Sequence, residues 1–358
     1  MNNNVHVVVM AGGLGKRLWP ISNQNMPKQF MDVFGCGRTL IQLTLDRLKT
    51  VCNERNIWVV TAEEYEPLIH EQLPQVRKDH ILLEPMQKNT TPAIAYFTWK
   101  IKSVAPNATV VITNCDQMVT NYDYFANAVK ESVEFAAKND AIVTLGVKPD
   151  REEVHGCFET LPVPAEGSIF KASKYLGRPA PADAMAMPNV YWNTSLKVAT
   201  VKTIEESYRK YAPQIAEAFD AIESSFFSPR ESYMINELLD SIEESISYER
   251  SVLLNADNVY VYAAEMGWSD LSAWSDLIPF VSMARYGNLK VGNVKAYNCS
   301  NCIIEVPDLK VAVVDGLEDF IVAEKDGQLL ICRLSNEKRI KEWSAEIEGQ
   351  DQVSDNHI

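Results

Sequence analysis

The stretch Val5-His-Val-Val-Val-Met-Ala-Gly-Gly-Leu-Gly-Lys-Arg17 decides the fold. Its first six residues, Val5–Met10, form a continuous Val-rich run, as expected for a strand that is buried on both faces of a sheet. Three glycines then fall within four residues, although the chain of 358 residues has only 15 glycines. Because open α/β sheets bind ligands at the carboxyl ends of their strands, this loop is a candidate ligand site.

Strand and helix patterns alternate on the carboxyl side of this loop. The alternation predicts an α/β fold with an open, mostly parallel sheet. The predicted strands are Val5–Met10, Ile57–Thr61, Ala108–Thr113 and Ala141–Val147, and the predicted helices are Thr39–Cys52, Thr91–Val104 and Tyr122–Ala137.

The pattern changes in the second half of the chain. Two further helices, Lys202–Phe227 and Arg230–Ser245, precede a strand at Val259–Ala264. Short strands then follow one another closely, which is typical of a small all-β or β-helix-like module. These strands are Val291–Ala296, Asn301–Glu305, Val311–Val314, Phe320–Glu324 and Leu329–Arg333, and a helix at Glu337–Ile347 closes the chain. We therefore predict a first domain at 1–280 and a C-terminal β module at 281–348.

The overall charge limits the classes of partner. There are 34 Lys and Arg residues against 48 Asp and Glu residues, which gives a net charge of −14. Such an acidic chain is unsuited to broad contact with nucleic acid or an anionic membrane. No apolar stretch approaches the roughly 20 residues that span a bilayer, and no signal peptide is visible. Seven scattered cysteines indicate reduced thiols, so we expect a cytoplasmic protein.

The glycine loop has the chemistry of a polyphosphate site. Glycines let backbone N–H groups converge on anionic oxygens, and Lys16 and Arg17 neutralise negative charge. We expect nucleotide binding by Ala11, Gly12, Gly13, Gly15 and Lys16. The loop fits neither GxxxxGK[ST] nor GxGxxG, so an ATPase P-loop and a dinucleotide site are disfavoured. A simple glycine-rich turn is the alternative interpretation.

The residues that follow make a resemblance specific. The string GGxGxRLWPxS…PKQF, from Gly12 to Phe30, closely resembles the signature of the mannose-1-phosphate guanylyltransferases. The resemblance implies a Rossmann-like nucleotide-diphospho-sugar transferase fold, with residues 1–280 as the catalytic domain. It also implies that Arg17 and Lys28 are catalytic, because both would neutralise phosphate charge.

A second segment, Glu84-Pro-Met-Gln-Lys-Asn-Thr-Thr-Pro-Ala-Ile94, resembles the EPxxRNTAPAI segment of that family, with Lys88 in place of Arg. The resemblance implies that Asn89 and Thr90 contact the nucleotide. The same residues also predict a helix start, with Thr90 as N-cap and Pro92 just inside the helix.

Two distant carboxylates match the metal ligands of the family. Asp116 stands where the family has the Asp of P-[AS]-D-H, and Asp270 stands where it has the Asp of FxWxDVGSW. The resemblance therefore implies Mg²⁺, which takes one or two protein oxygens together with substrate phosphates. Without the family context, Asp116 is typical of a turn residue, and Asp270 is typical of the N-cap of a helix over 271–277.

The sugar-binding half departs from the family. The resemblance implies sugar contacts by Gly156, Arg178 and Asn193, but Arg178 replaces a Lys and Gly177 replaces the Glu of an EKP segment. Three positions where relatives carry glycine hold Val154, Ser195 and Ser272. If the backbone has positive φ at those positions, a side chain costs free energy there.

Taken together, the resemblance implies transfer of GMP from GTP to mannose 1-phosphate, with pyrophosphate released. The departures leave two alternatives: another hexose 1-phosphate as acceptor, or a nucleotide-binding regulatory homologue without transferase activity. In the family the C-terminal module contributes to oligomer contacts, so a homodimer is expected. His155 and the pair Cys299 and Cys302 are interpreted as structural residues rather than ligands.

Overall fold

The computed structural model describes residues 4–13, 15–281, 287–308 and 310–354. Its packing divides the chain into two compact units. The first comprises Met1–Gly12, Leu45–Cys115 and Val119–Trp268, and the second comprises Gly13–Thr44, Asp116–Met118 and Ser269–Ile358. This division is not linear along the sequence, and the predicted domain boundary at residue 280 stays a prediction.

A nine-stranded sheet forms the centre of the first unit. Its strands, in the order in which they lie side by side, are β3-β2-β1-β4-β9-β6-β10-β8-β7. The bounds are β1 Val5–Met10, β2 Ile57–Ala62, β3 Ile81–Glu84, β4 Thr109–Asn114, β5 Gln117–Val119, β6 Ile142–Val147, β7 Cys157–Glu166, β8 Ile169–Gly177, β9 Val190–Thr200, β10 Val259–Ala263 and β11 Trp268–Asp270. Strands β5 and β11 pair with each other in a separate two-stranded sheet.

The sheet is mixed, with a group of four parallel strands on one side of the central strand, β9. Strands β1, β2, β3 and β4 are parallel, as are β6 and β10, whereas β9 is antiparallel to both β4 and β6. Because Met10 pairs with Asn114, the carboxyl ends of β1 and β4 lie side by side. The α/β sheet predicted from the sequence is confirmed.

The helices are shorter than the periodicity predicts where proline or a cap interrupts them. The predicted helix Lys202–Phe227 is two helices, because Pro213 cannot continue the first and begins the second. The helices are α1 Leu40–Leu48, α2 Glu66–Gln72, α3 Thr90–Val104, α4 Tyr122–Asn139, α5 Pro181–Ala186, α6 Val201–Tyr211, α7 Pro213–Ile222, α8 Glu231–Ser241, α9 Ile278–Val281 and α10 Ile340–Ser354. Within the described residues, none is long and apolar enough to cross a bilayer.

Small sheets form the C-terminal part of the second unit, as the predicted β module requires. The strands are β12 Leu289–Val291, β13 Val294–Tyr297, β14 Ile303–Glu305, β15 Ala312–Asp315, β16 Phe320–Lys325 and β17 Gln328–Arg333. Strands β12, β14 and β16 are parallel neighbours, and β13 pairs in parallel with β15. The predicted strand Val291–Ala296 is divided at Gly292, whose φ of +96° a side chain would not adopt readily.

The CxxC pair belongs to the core of this module. Cys302 is buried with Ile304 and Val306, and Cys299 packs against the same cluster. Among the described residues there is no group of three His, Cys, Asp or Glu side chains that could hold a metal ion. The packing of both cysteines in this cluster favours the structural interpretation of the pair.

Candidate active site

In the first unit, the glycine loop begins with backbone groups that neighbouring strands fix. The Ala11 amide donates to the carbonyl of Val60 at 2.8 Å, and the Thr61 hydroxyl donates to the Ala11 carbonyl at 3.0 Å. The Gln87 side-chain amide donates to the Gly12 carbonyl. With their carbonyls occupied, Ala11 and Gly12 keep a fixed backbone direction at the carboxyl end of β1.

Glu84 is a buried carboxyl group that sequence reasoning did not select as a site residue. It ends β3, is 6% exposed, and its Oε1 atom has no hydrogen-bond partner among the described residues. A Cβ atom built on Gly12 would lie 3.8 Å from Glu84 Oε2, so the carboxyl group adjoins the loop. Burial raises the pKa of Glu84 to about 8. The sequence feature that could have identified Glu84 as a site residue is its position as the first residue of the segment Glu84–Ile94.

In the second unit, the loop continues through Gly13 and Gly15. The Gln29 side-chain amide donates to the Gly13 carbonyl at 2.9 Å. Gly15 has a φ of +60°, and a Cβ atom there would lie 2.7 Å from Ser22 Oγ. Ser22 Oγ itself accepts from the Lys28 backbone amide at 3.0 Å. Glycine is therefore required at position 15 by both conformation and space.

Arg17 and Lys28 differ in their surroundings. Arg17 lies in the short 3-10 helix Lys16–Leu18, and its exposed guanidinium has no ion pair within the described part of the chain. Lys28 is only 4% exposed, and its ammonium lies 2.8 Å from Asp116 Oδ2 and 2.9 Å from the Leu271 carbonyl oxygen. Arg17 is thus free to meet an anion from solvent, whereas Lys28 is fixed in position.

Asp116 and Asp270 are brought together by the backbone. The Leu271 amide, next to Asp270, donates to the Asp116 carbonyl at 3.1 Å. The second carboxylate oxygen of Asp116, Oδ1, is buried without a hydrogen-bond partner among the described residues. A buried unpaired carboxylate oxygen next to a second Asp is a donor set that suits a hard divalent cation.

The N-cap interpretation of Asp270 is wrong. Asp270 ends β11, and the following 3-10 helix, Trp274–Leu277, begins after Ala273. The carboxylate that caps this turn is Asp276, which accepts from the amides of Ser272 and Ala273 at 2.7 Å each. Asp270 is therefore not needed to start a helix. Asp116 does lie at a bend, between β4 and β5, and that interpretation is compatible with metal binding.

The segment predicted to contact the nucleotide starts α3 one residue earlier than expected. The N-cap is Asn89, whose φ is +71° and whose side chain accepts from the Thr90 amide at 2.8 Å. The Thr90 hydroxyl instead accepts from the Tyr248 amide at 2.9 Å, so Thr90 as N-cap is wrong. Contact of Asn89 and Thr90 with a nucleotide stays a prediction.

The three predicted sugar-binding residues converge in the first unit. Cys157, at the start of β7, pairs with Gly177 at the end of β8 and with Trp192 on β9. Gly156 directly precedes Cys157, Arg178 directly follows Gly177, and Asn193 directly follows Trp192, so the three residues are neighbours. The Asn193 backbone amide donates to the Gly156 carbonyl at 2.7 Å. A Cβ atom on Gly156 would lie 2.5 Å from the Tyr175 hydroxyl, which explains the retained glycine. Arg178 is exposed beside them.

His155 is a structural neighbour of this group. Its Nε2 atom lies 2.8 Å from Glu153 Oε2, and its ring packs edge-on against Trp192 and Trp268. These contacts favour the structural interpretation of His155 over a ligand role.

Positive φ occurs at only one of the three positions where glycine is replaced. Ser195 has a φ of +62°, whereas Val154 and Ser272 have ordinary backbone angles. The cost expected for a side chain at a glycine position therefore applies to Ser195 and not to Val154 or Ser272.

Comparison with known proteins finds curated relatives that match most of the chain. A mannose-1-phosphate guanylyltransferase 2 from Escherichia coli O157:H7 is 28% identical over 350 residues, covering 93% of this chain and 71% of the relative. A mannose-1-phosphate guanylyltransferase from Klebsiella pneumoniae is 28% identical over 337 residues, covering 91% and 70%.

Solved structures give the fold. The crystal structure of a protein from Thermus thermophilus, described as a mannose-1-phosphate geranyltransferase, matches with a TM-score of 0.85 at 23% identity. The match covers 96% of this chain and 99% of that one. The sequence profile of the nucleotidyl transferase family matches residues 6–284, more than half of the 358 residues. The chain therefore belongs to the nucleotidyl transferase family.

Proposed function

We propose that this nucleotidyltransferase transfers GMP from GTP to mannose 1-phosphate, giving GDP-mannose and pyrophosphate. The observation that carries the proposal is the arrangement of Lys28 and Asp116, a buried ammonium at 2.8 Å from a carboxylate whose other oxygen is unpaired among the described residues. Relatives named for this reaction support the choice of GTP and mannose 1-phosphate.

The reaction needs positioning and charge stabilisation, with no covalent enzyme intermediate. A phosphate oxygen of the sugar 1-phosphate attacks the α-phosphorus of GTP in line, forming the new P–O bond. The bond between the α-phosphorus and the oxygen that bridges to the β-phosphorus breaks, and pyrophosphate leaves with that electron pair. Because the developing charge lies on phosphate oxygens, fixed cations and N–H donors supply most of the rate enhancement.

This chain's residues have separate roles in that scheme. Backbone N–H groups of Gly12, Gly13 and Gly15 and the guanidinium of Arg17 hold the β- and γ-phosphates. The Lys28 ammonium neutralises charge on the α-phosphate, and its burial excludes water that would screen it. Mg²⁺, held by Asp116 and Asp270, supplies charge neutralisation of the triphosphate when bound.

The base is recognised beside β3. Guanine presents two adjacent donors, N1–H and the exocyclic amino group, whereas adenine presents an acceptor at N1. Burial keeps the Glu84 carboxyl group protonated in the nucleotide-free chain. The two guanine donors would shift it to the ionised form, which accepts both of them and repels the acceptor of adenine. Asn89 and Thr90, which follow on the same segment, adjoin the nucleoside.

The acceptor is recognised by Gly156, Arg178 and Asn193. Glycine at 156 lets the Tyr175 hydroxyl lie against the backbone at this position, and the Asn193 side chain donates to a ring hydroxyl. Arg178 adds positive charge for the sugar phosphate. The loss of an acid at Gly177 favours a second candidate, the same transfer to another hexose 1-phosphate, because that acid would bind hydroxyl groups. A cytoplasmic location and a homodimer stay predictions.

Pyrophosphate release tests both candidates. Purified protein with Mg²⁺ and GTP is given equal amounts of mannose, glucose or galactose 1-phosphate, and pyrophosphate is measured with time. We expect release with mannose 1-phosphate and a loss of activity when EDTA removes the metal. Faster release with another hexose 1-phosphate would favour the second candidate, and no release with any of them would refute both.

A further inference from the structure

A buried ion pair lies in the sugar-binding half of the first unit. Lys197 on β9 places its ammonium 2.8 Å from Glu249 Oε1, and the two side chains are 4% and 18% exposed. Glu249 is the first residue of a π-helical turn, Glu249–Leu253. Such turns are rare and occur often at functional sites. Burial alone would raise the pKa of Glu249, but the charge and hydrogen bond of Lys197 outweigh it and hold that pKa below its ordinary value.

The ammonium of Lys197 has a second bond, to the backbone of a strained bulge. It donates to the Ser195 carbonyl at 3.2 Å, and Ser195 has a φ of +62°. The pairing of β9 with β6 shifts here: Lys197 pairs with Thr144, but Asn193 pairs with Gly146. Between these two pairs, three residues of β9 therefore lie opposite one residue of β6. Bulges of this kind redirect side chains next to active sites.

The side chain that this bulge directs is Asn193. Its Oδ1 atom accepts from the Ser195 amide at 3.0 Å and from the Thr144 hydroxyl at 2.9 Å. Because both bonds engage the oxygen, the orientation of the amide group is fixed. Its Nδ2 atom has no partner within the residues that the structure describes, so it is available to a ligand hydroxyl.

We propose that Lys197 and Glu249 are positioning residues that hold the Asn193–Ser195 bulge and thereby set the affinity for the sugar 1-phosphate. This inference rests on the proposed function. Glu249 fixes the ammonium of Lys197, the ammonium fixes the Ser195 carbonyl, and Ser195 fixes the Asn193 amide. A buried ion pair often stabilises a fold no better than apolar side chains of similar size, so stability alone does not account for it.

The chain offers a matched control. Lys100 on α3 and Glu231 on α8 form another buried pair in the same unit, at 2.6 Å, with side chains 5% and 13% exposed. Its atoms contact Tyr96 and Phe227 rather than any strand bulge. Loss of this pair affects the packing of α3 against α8 and does not change the contacts of Asn193.

The test compares Lys197→Met/Glu249→Gln with Lys100→Met/Glu231→Gln, since neither double variant leaves a buried charge alone. We expect the first to raise KM for the sugar 1-phosphate at least tenfold, with KM for GTP changed less than twofold. The control should leave both KM values within twofold. Adding Ser195→Gly to the first variant should lower KM for the sugar 1-phosphate most of the way back to the wild-type value. Glycine adopts the positive φ without needing the bond from Lys197 to the carbonyl of residue 195.

An unchanged sugar KM, or an equal rise in both KM values, would overturn the proposal. Amide hydrogen exchange of the segment 193–197 gives a second readout that needs no activity. We expect faster exchange there in the first variant but not in the control, and equal exchange would also overturn the proposal. Wild-type protein that releases no pyrophosphate with any hexose 1-phosphate would refute the proposed function. The exchange experiment would still show whether Lys197 and Glu249 hold the Asn193–Ser195 bulge.

Discussion

The buried carboxyl group of Glu84 should make the stability of the protein fall with rising pH, and Glu84→Gln should remove that dependence. Burial raises the pKa of the Glu84 carboxyl from its ordinary value of 4.5 to about 8. Between these values the folded chain keeps a proton that the unfolded chain releases. The contribution of Glu84 to stability is therefore fully present below pH 4.5 and is lost as the pH rises through 8.

The size of the effect follows from the two pKa values. The difference between 4.5 and about 8 corresponds to about 5 kcal/mol in all, of which about 4 kcal/mol falls between pH 5 and pH 8. Glutamine has nearly the same shape and does not titrate. Between pH 5 and pH 8, the free energy of unfolding of the wild-type protein should therefore fall by about 4 kcal/mol more than that of Glu84→Gln.

Urea unfolding at pH 5, 6, 7 and 8, followed by far-UV circular dichroism, measures the difference. Glu305→Gln is a positive comparator, because burial also raises the pKa of Glu305 to about 8. Glu159→Gln is the negative control, because that side chain is exposed. Parallel curves of unfolding free energy against pH for the wild type and Glu84→Gln would refute the reasoning. So would an effect of Glu159→Gln as large as that of Glu84→Gln.

The remaining predictions concern single residues of the site. Asp116→Asn should lower kcat about 10²–10³-fold, because it removes a charged oxygen from the metal site, whereas Asp308→Asn, from the 2.6 Å surface pair with Lys325, should leave kcat unchanged. Lys28→Met should lower kcat by a similar factor with little change in KM for the sugar phosphate, since its charge acts on the α-phosphate. Glu84→Gln should reduce the preference for GTP over ATP about tenfold in competition assays. Ser195→Gly should raise the free energy of unfolding by about 0.5–1 kcal/mol in urea titrations, because it relieves a positive φ at the cost of a more flexible unfolded chain. An unchanged kcat in Asp116→Asn or Lys28→Met, an unchanged nucleotide preference in Glu84→Gln, or an unchanged unfolding free energy in Ser195→Gly would contradict the corresponding role.

The parts of the fold that the sequence predicts are those with strong local patterns. The Val-rich run of β1 and the glycines after it specify a buried strand and a loop. Strand β3, Ile81–Glu84, was not predicted, because its four residues are too few to show a period. The helix break at Pro213 was missed because apolar spacing continues on both sides of it.

The site residues also fall into those that the sequence can identify and those that only the structure reveals. Gly15 and Lys28 are readable from the sequence because both belong to the short string Gly12–Phe30, and the structure adds the positive φ of Gly15 and the Asp116 partner of Lys28. The burial of Glu84 is not readable, because a Glu-Pro pair at the end of a strand looks like a solvent-exposed turn. The partnership of Lys197 with Glu249 is not readable either, because it joins segments far apart in the chain.

Among the departures from the family that the chain resembles, the one at Ser195 has the clearest structural consequence. Of the three replaced glycines only Ser195 has a positive φ, and its carbonyl is the one that Lys197 holds. A strained residue and a buried charge therefore lie in the same bulge of β9. Since the strain at Ser195 destabilises the bulge and the bond from Lys197 opposes it, the two residues act together. A change in acceptor preference should therefore arise at this bulge rather than at the phosphate-binding glycines or at Lys28.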